Sequence, residues 1–355
     1  MNHGNILVTG GAGFVGSFLA ERLRIDRPAV AVTALDNLKR RGSELNLRRL
    51  RDAGVRFKHG DIRCPEDLAF TDPFDLIIDC SAEPSVLAGY DEMPSYVIQT
   101  NLSGTANILE LVRRHRADFV FLSTSRVYPV AALNMLPLRE GATRLEWTGT
   151  AALAGASELG IREEFPLLGH RSLYGATKLA SELLVEEYAA IYGLRTLVNR
   201  CGVLAGPGQM GKADQGVFGY WMLAHHFGRP LRYIGYGGMG KQVRDLLHVE
   251  DLYQLLVAQL ARIGELAGNV FNIGGGDFNL SLAEATELCQ ELTGRKVPIE
   301  SVARNRVGDI PWYVTDNTRI LEAVGWRPIL GPRETLADHY RWVCKNEFEL
   351  RHLLD

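Results

Sequence analysis

Tyr174 and Lys178 stand four residues apart in Ser172-Leu-Tyr-Gly-Ala-Thr-Lys178. The apolar-rich run that continues to Tyr192 reads as a helix, so both side chains share one face. A tyrosine hydroxyl is a poor base, with an ordinary pKa of about 10. A lysine ammonium one turn away favours its phenolate. Such a pair could take the proton of a substrate hydroxyl near neutral pH, as hydride removal from a secondary alcohol requires. The same spacing decorates many solvated helices, so its weight depends on an oxidant site and a substrate site elsewhere in the chain.

The amino-terminal turn Thr9-Gly-Gly-Ala-Gly-Phe-Val-Gly16 leaves a strand-like run and enters a helical pattern. Gly10, Gly13 and Gly16 permit a tight turn, close approach of backbone to a pyrophosphate, and close helix packing. The helix start at Phe14 and Val15 would then face the anion. Asp36 ends the second strand-like run, about 20 residues after Gly16, the separation at which an acid meets the adenosine ribose hydroxyls. The pattern predicts a dinucleotide site. Asp36 would repel a ribose 2′-phosphate and so favours NAD over NADP, a preference that Lys39, Arg40 and Arg41 soften. Asn37 follows Asp36, Asp61 and Ile62 follow the third strand-like run, and Ser81, Ala82 and Glu83 follow the fourth. Carboxyl ends of parallel strands are where such sheets bind ligands. Asn101, with Gly104 close behind, interrupts an otherwise apolar helix pattern. It could hold the Tyr174 helix or a water, or serve only helix packing.

These residues need a scaffold, and the periodicity supplies one. Strand-like runs at Asn5–Thr9, Val30–Asp36, Val55–His59, Leu76–Cys80, Phe119–Ser123 and Thr196–Asn199 alternate with helical patterns at Phe14–Leu23, Glu44–Arg51, Tyr96–Arg114 and Tyr174–Tyr192. That alternation predicts an α/β fold, a doubly wound parallel sheet of Rossmann type. The expected organisation is a dinucleotide-binding domain over 1–200, with 241–268 returning to it. A smaller substrate lobe comprises 201–240 and 269–355. The long segment 129–171 enters beside the Thr124 strand and leaves beside Tyr174, which places it on the substrate side; Trp147 within it could contact substrate or pack the insertion.

Composition narrows the partners. The chain has 355 residues, 46% hydrophobic and 23% charged, with a formal charge of -3. That balance gives no reason to expect a nucleic-acid surface or a membrane patch, and no apolar run reaches the roughly 18 residues of a membrane span. The five cysteines are scattered without C-x-x-C spacing, which argues for a reducing, cytoplasmic compartment and against a metal site.

The stretch Ser123-Thr124-Ser125-Arg126-Val-Tyr128, together with the glycine turn, Asp36, Asp61 and the Tyr174/Lys178 pair in this order, resembles the extended short-chain dehydrogenase/reductase family. That family includes the nucleotide-sugar epimerases and dehydratases. The resemblance implies Thr124, Tyr174 and Lys178 as the catalytic set. Ser123, Tyr174 and Lys178 would join Gly10, Gly13, Phe14, Val15, Asp36, Asn37, Asp61, Ile62, Ser81 and Ala82 around NAD. It further implies Arg244, and Arg306 with Asp309 in an Arg-x-Gly-Asp turn, as the grip on a substrate diphosphate. For Arg244 an ion pair with Asp245 or Glu250 is the alternative. Glu83, Ser125, Arg126 and Gln215 complete the implied substrate side. Two departures matter. The 4,6-dehydratases of the family carry an Asp-Glu pair where this chain has Ser125 and Arg126, so that reaction would lack its acid and base. Val203 and Ala205 break the Arg-x-x-Asn-x-Tyr-Gly-Pro pattern of relatives, so its asparagine contact does not transfer. Asp214-Gln215-Gly216 with Gly240-Lys-Gln-Val-Arg-Asp245 most resembles the CDP-paratose 2-epimerase branch. This implies a CDP-hexose substrate epimerised at carbon 2, with a UDP-hexose 4-epimerase or an NAD(P)-linked reductase as alternatives. It also implies a homodimer or higher oligomer paired through the helices around Tyr96–Arg114 and Tyr174–Tyr192.

Overall fold

The computed structural model, which describes residues 3–90, 94–149, 153–212 and 215–354, is built on a parallel sheet made from the short apolar runs. Its seven strands lie in the order Asn269–Ile273, Thr196–Cys201, Asp118–Thr124, Leu76–Asp79, Asn5–Thr9, Ala31–Asp36, Arg56–His59. The strand Asn5–Thr9 runs parallel to both neighbours, with Ile6 opposite Val32 on one side and Leu76 on the other. The central strands Leu76–Asp79 and Asp118–Thr124 are buried along their whole length, as strands of a sheet covered by helices on both faces are, whereas the edge strand Arg56–His59 is polar and partly exposed. Chain order reverses between Asn5–Thr9 and Leu76–Asp79, and a crevice forms at the carboxyl ends of strands at such a switch point.

The helices differ from expectation in one informative place. The pattern over Tyr96–Arg114 is not one regular helix but Pro94–Ile98, a π-helical turn Gln99–Ser103, and Gly104–His115. A Cβ on Gly104 would lie 2.5 Å from Ile62 Cδ1, so only glycine lets this helix approach the third strand's exit so closely. The wider turn sits one residue before it and carries Asn101. π-turns of this kind are frequent at functional sites.

The chain divides into two compact units, Met1–Thr124 with Leu173–Arg200 and Tyr253–Val270, and Ser125–Ser172 with Cys201–Leu252 and Phe271–Asp355. The second unit is layered on short strands, Val203–Ala205, Val243–His248, Asn279–Ser281 and Trp312–Tyr313. The helices Val217–Phe227, Leu282–Thr293 and Pro332–Lys345 bury Trp221, Met222, Ala285 and Leu336 in one core.

This division differs from the expected boundaries, because 125–172 and 241–252 fall in the second unit. The reason lies in the hairpin formed by Leu138–Glu140 and Leu145–Trp147. Arg144 between those strands is paired with Glu284, its Nε 2.8 Å from Oε1, and its Nη1 donates to Asn279 Oδ1 at 2.7 Å. Ser281 donates its hydroxyl to the Thr143 carbonyl at 2.7 Å, and Leu145 N–H bonds the Lys241 carbonyl at 2.8 Å. Trp147 packs against Trp312 at 5.5 Å between ring centroids, which supports the packing role over a substrate contact. The segment is therefore clamped to its own unit through the start of the helix Leu282–Thr293, where Ser281 and Glu284 form a capping box.

Burial would raise the Glu284 pKa, but Arg144, the Ser281 amide and Thr143 outweigh it and bring it down to about 2. Because the folded value is depressed, this stabilisation is present above the unfolded carboxylate pKa and lost as pH falls toward 2. Replacement Arg144→Ala is expected to cost about 1–2 kcal/mol of unfolding free energy at pH 7. The share of that difference owed to Glu284 should disappear as pH falls through about 2, leaving only the share owed to Asn279, as urea titrations at pH 7 and below pH 2 would measure.

Candidate active site

The first unit places the glycine turn at the crevice rim. Gly10 has φ 61°, and a Cβ there would lie 2.8 Å from the Cys80 carbonyl oxygen; one on Gly16 would lie 2.2 Å from the Gly10 oxygen. The turn is thus a cradle that side chains would fill. The helix Phe14–Asp26 begins at Gly13 without a side-chain cap, leaving the first-turn amides, Phe14 and Val15 among them, available to an anion. Asp36 takes the Ala12 amide on Oδ2 at 3.0 Å and the Leu38 amide on Oδ1 at 2.8 Å, tying the glycine turn to the second strand. Burial pushes its pKa up, against the pull of those amides. These features fit an NAD pyrophosphate and ribose.

Around the rim, Asn37 Nδ2 donates to Asp61 at 2.9 Å, and Arg63 pairs with Asp61 at 2.6 Å. The Arg63 guanidinium, with help from Asn37, holds the Asp61 carboxyl well below its usual range. Arg63 and Lys39 each lie 5.0 Å from the Tyr96 ring centroid, a cationic lip that only its nearness to Asp61 hints at in sequence. The Ile62 side chain goes into the core against Gly104. Beyond the fourth strand, Asp79 is fully buried and accepts from Thr9 Oγ1 at 2.6 Å, Ser81 N at 3.0 Å and Thr105 Oγ1 at 3.4 Å. It shapes the Ser81–Ala82 turn, and nothing local in the sequence marks it. Glu83 turns its carboxylate toward the Ser85 amide at 3.3 Å.

Thr124 ends the strand Asp118–Thr124, and Tyr174 and Lys178 lie in the first turns of the helix Leu173–Tyr192. Lys178 is 1% exposed, with its ammonium 3.8 Å from the Phe121 ring centroid on that strand. Asn101 joins three pieces of this site. Its Oδ1 accepts the Glu83 amide at 2.7 Å, its Nδ2 donates to Thr177 Oγ1 at 3.2 Å, and its carbonyl accepts from Ser181 at 2.9 Å. Of the roles open to it, the geometry selects holding the Tyr174 helix. One turn beyond Lys178, the buried Glu182 accepts from the Ser123 hydroxyl and is paired with buried Arg200 at 2.7 Å. Ser123 therefore spends its hydroxyl on the helix that carries Tyr174.

In the second unit Ser125 and Arg126 form a short turn, and Arg126 Nη1 donates to the Gly308 carbonyl at 3.3 Å. Arg244 is buried. Its Nη2 donates to Asp309 Oδ1 at 3.1 Å and to the Ile310 carbonyl at 2.7 Å, so its ionic partner is Asp309 rather than Asp245 or Glu250. Asp245 accepts the Thr315 amide at 3.1 Å, and burial pushes its pKa up to about 6. Arg306 begins the turn closed by Asp309 N–H on its carbonyl at 3.3 Å. Gln215 and Lys212 exchange two backbone bonds, of 2.7 and 3.1 Å, while Ala213 and Asp214 lie outside the described residues. Among the described residues no group of three or more His, Cys, Asp or Glu side chains could hold a metal ion, and no helix is long and apolar enough to cross a membrane.

Three comparisons bear on this geometry. The family described as "NAD dependent epimerase/dehydratase family" matches residues 6–274. The chain is similar to a CDP-paratose 2-epimerase from Salmonella typhi, 30% identical over 95% of this chain and 98% of that protein. Among solved structures it is similar to a dTDP-glucose 4,6-dehydratase from Streptomyces venezuelae with NAD bound, with a TM-score of 0.78 and 30% identity over 98% of this chain and 99% of that one. It is also similar to a UDP-glucose 4-epimerase from Thermus thermophilus in complex with NAD, with a TM-score of 0.74 and 26% identity over 95% of this chain and 98% of that one.

The Glu182–Arg200 pair generates a stability test. Glu182→Ala would leave a guanidinium buried without its carboxylate and is expected to cost about 3–5 kcal/mol in chemical denaturation. The double replacement Glu182→Leu with Arg200→Met should recover most of that loss, because neither member then leaves the other's charge unpaired.

Proposed function

The chain belongs to the NAD-dependent epimerase/dehydratase family, and from that membership we propose that it inverts sugar carbon 2 of a CDP-hexose, of the CDP-paratose to CDP-tyvelose type. The cofactor is NAD. Gly10, Gly13, Phe14, Val15, Asp36, Asn37, Asp61, Ile62, Ser81, Ala82, Ser123 and Lys178 are the residues we assign to it. When bound, NAD supplies the hydride acceptor that is later the hydride donor, so the cycle needs no second substrate.

One observation carries the choice of epimerisation over dehydration. Loss of water needs an acid and a base directly after Thr124, and this chain has there a hydroxyl and a guanidinium, the latter turned to the Gly308 carbonyl. Tyr174 takes the proton of the sugar hydroxyl as its carbon becomes a ketone, and Thr124 orients that oxygen. Lys178, buried against Phe121 and one helical turn from Tyr174, favours the phenolate. The keto-sugar turns over within the site, and Tyr174 returns the proton once the other face is reduced. Arg244 and the turn Arg306 to Asp309 hold the diphosphate while the sugar turns, and Glu83, Ser125, Arg126 and Gln215 line the substrate side. The likeness to the CDP-paratose 2-epimerase supports carbon 2 and the cytidine nucleotide.

We also place the protein in the cytoplasm, a reading its free thiols support, as a homodimer. The helices Gly104–His115 and Leu173–Tyr192 are the proposed interface, on which Leu183 is 57% and Ile191 65% exposed, two turns apart on one face. Leu183→Glu should shift the mass measured by light scattering from two copies toward one; an unchanged mass would remove this interface.

Proton NMR of the purified enzyme with CDP-hexoses and UDP-hexoses in deuterated water tests the reaction. Inversion at carbon 2 without deuterium entering that position is expected; inversion at carbon 4 would move the assignment, and deuterium uptake would point to enolisation. Tyr174→Phe should keep its NAD while turnover falls by roughly 10²–10⁴-fold.

A further inference from the structure

The loop Gly235-Tyr-Gly-Gly-Met-Gly240 joins the strands Leu231–Ile234 and Val243–His248 of the second unit. Its glycines have positive φ, 85° at Gly235, 80° at Gly237, 70° at Gly238 and 69° at Gly240. Tyr236 among them takes φ 48°, a left-handed conformation that glycine adopts freely and a tyrosine does not. Such strain persists only where the surroundings impose it, and it concentrates at ligand sites.

Two asparagines hold the residue here. Asn305 Oδ1 accepts the Tyr236 amide at 2.7 Å, and Asn134 Oδ1 accepts the Tyr236 hydroxyl at 3.0 Å. Asn134 also donates from Nδ2 to the Asp309 carbonyl at 3.3 Å, and the Asp309 carboxylate holds Arg244. The phenol therefore stands in the combined field of Asp309, Arg244 and Arg126. Burial and the Asp309 carboxylate push its pKa up to about 12, so it stays a neutral hydroxyl with a proton to donate.

We propose that Tyr236 is a substrate-binding residue whose hydroxyl donates to a diphosphate oxygen of the nucleotide sugar beside the Arg244 guanidinium, with Asn134 as the positioning residue that aims it. The proposal rests on the nucleotide-sugar reading above. The Asn134 oxygen that the hydroxyl meets is neutral; a charged phosphate oxygen is the stronger acceptor and would displace it. Guanidiniums supply charge to the grip, whereas a phenol on a locked backbone supplies direction without further charge. That division suits a diphosphate that must stay in place while the sugar attached to it turns over.

The test uses the NAD-loaded enzyme and its Tyr236→Phe variant, which keeps the ring and loses only the donor. Calorimetric titration with CDP and UDP, and with CMP and UMP, reads the contact. Affinity for the diphosphate that wild type binds should fall about tenfold, with the corresponding monophosphate changed less than twofold. In turnover, KM should rise by a similar factor with kcat nearly unchanged, the mark of an interaction made equally in ground and transition states. Asn134→Ala should give a smaller loss of the same kind. Unchanged diphosphate affinity, or equal losses for diphosphate and monophosphate, would overturn the role of Tyr236. Wild-type enzyme that binds neither CDP nor UDP would instead overturn the nucleotide-sugar reading itself.

Discussion

The buried pair of Glu182 and Arg200 is the interaction on which the placement of the helix carrying Tyr174 and Lys178 depends. Two charges inside a protein are tolerated only when each is the other's partner and the remaining lone pairs are bonded. Here the guanidinium donates to both carboxylate oxygens, from Nε at 3.2 and 3.1 Å and from Nη2 at 2.7 Å, and Ser123 supplies a further donor. The consequence is positional. Glu182 lies one turn beyond Lys178 and two beyond Tyr174, Ser123 precedes Thr124, and Arg200 lies in the next strand of the sheet. A helix that rotated or slid would separate those charges in a dry interior. The helix register, and with it the height of Tyr174 above the end of the Thr124 strand, is set by that cost.

The same device recurs at the crevice rim with single carboxylates. Asp36 binds amides of its own turn and of the glycine loop, and Asp79 gathers Thr9, Ser81 and Thr105. Each closes a strand end that would otherwise leave polar groups unsatisfied. The rim is therefore fixed by bonds among its own residues. Asn101 extends this from the rim to the helix, and its backbone carbonyl, in the π-turn, accepts from both Ser181 and Thr105.

Legibility in the sequence followed range. The glycine turn, the acid at the second strand end and the strand–helix alternation depend on sterics and periodicity within a few residues, and all three appear in the structure where the sequence puts them. The long helix pattern through Asn101 was legible as a helix but not as a broken one. The apolar positions keep their period, and the π-turn lies beside the close approach of Gly104 to Ile62, a contact with a distant segment that spacing does not reveal. The segment 129–171 was legible as an insertion but not in its attachment, because Arg144 and Glu284 are 140 residues apart. Arg244 was recognised as a guanidinium suited to phosphate, yet its partner is 65 residues away and not among its neighbours in sequence.

By itself, then, the sequence determined the sheet, the dinucleotide turn and the Tyr174/Lys178 pair, since each is written in short-range spacing and backbone freedom. Only the tertiary structure decided how the helix of that pair is held, through Ser123, Glu182 and Arg200, and how Tyr236 and Asn134 come beside Asp309. The physical reason is desolvation. A buried charge or hydroxyl selects its partner when segments close over it and exclude water, and nothing in the local chemistry of a carboxylate names the guanidinium it will meet.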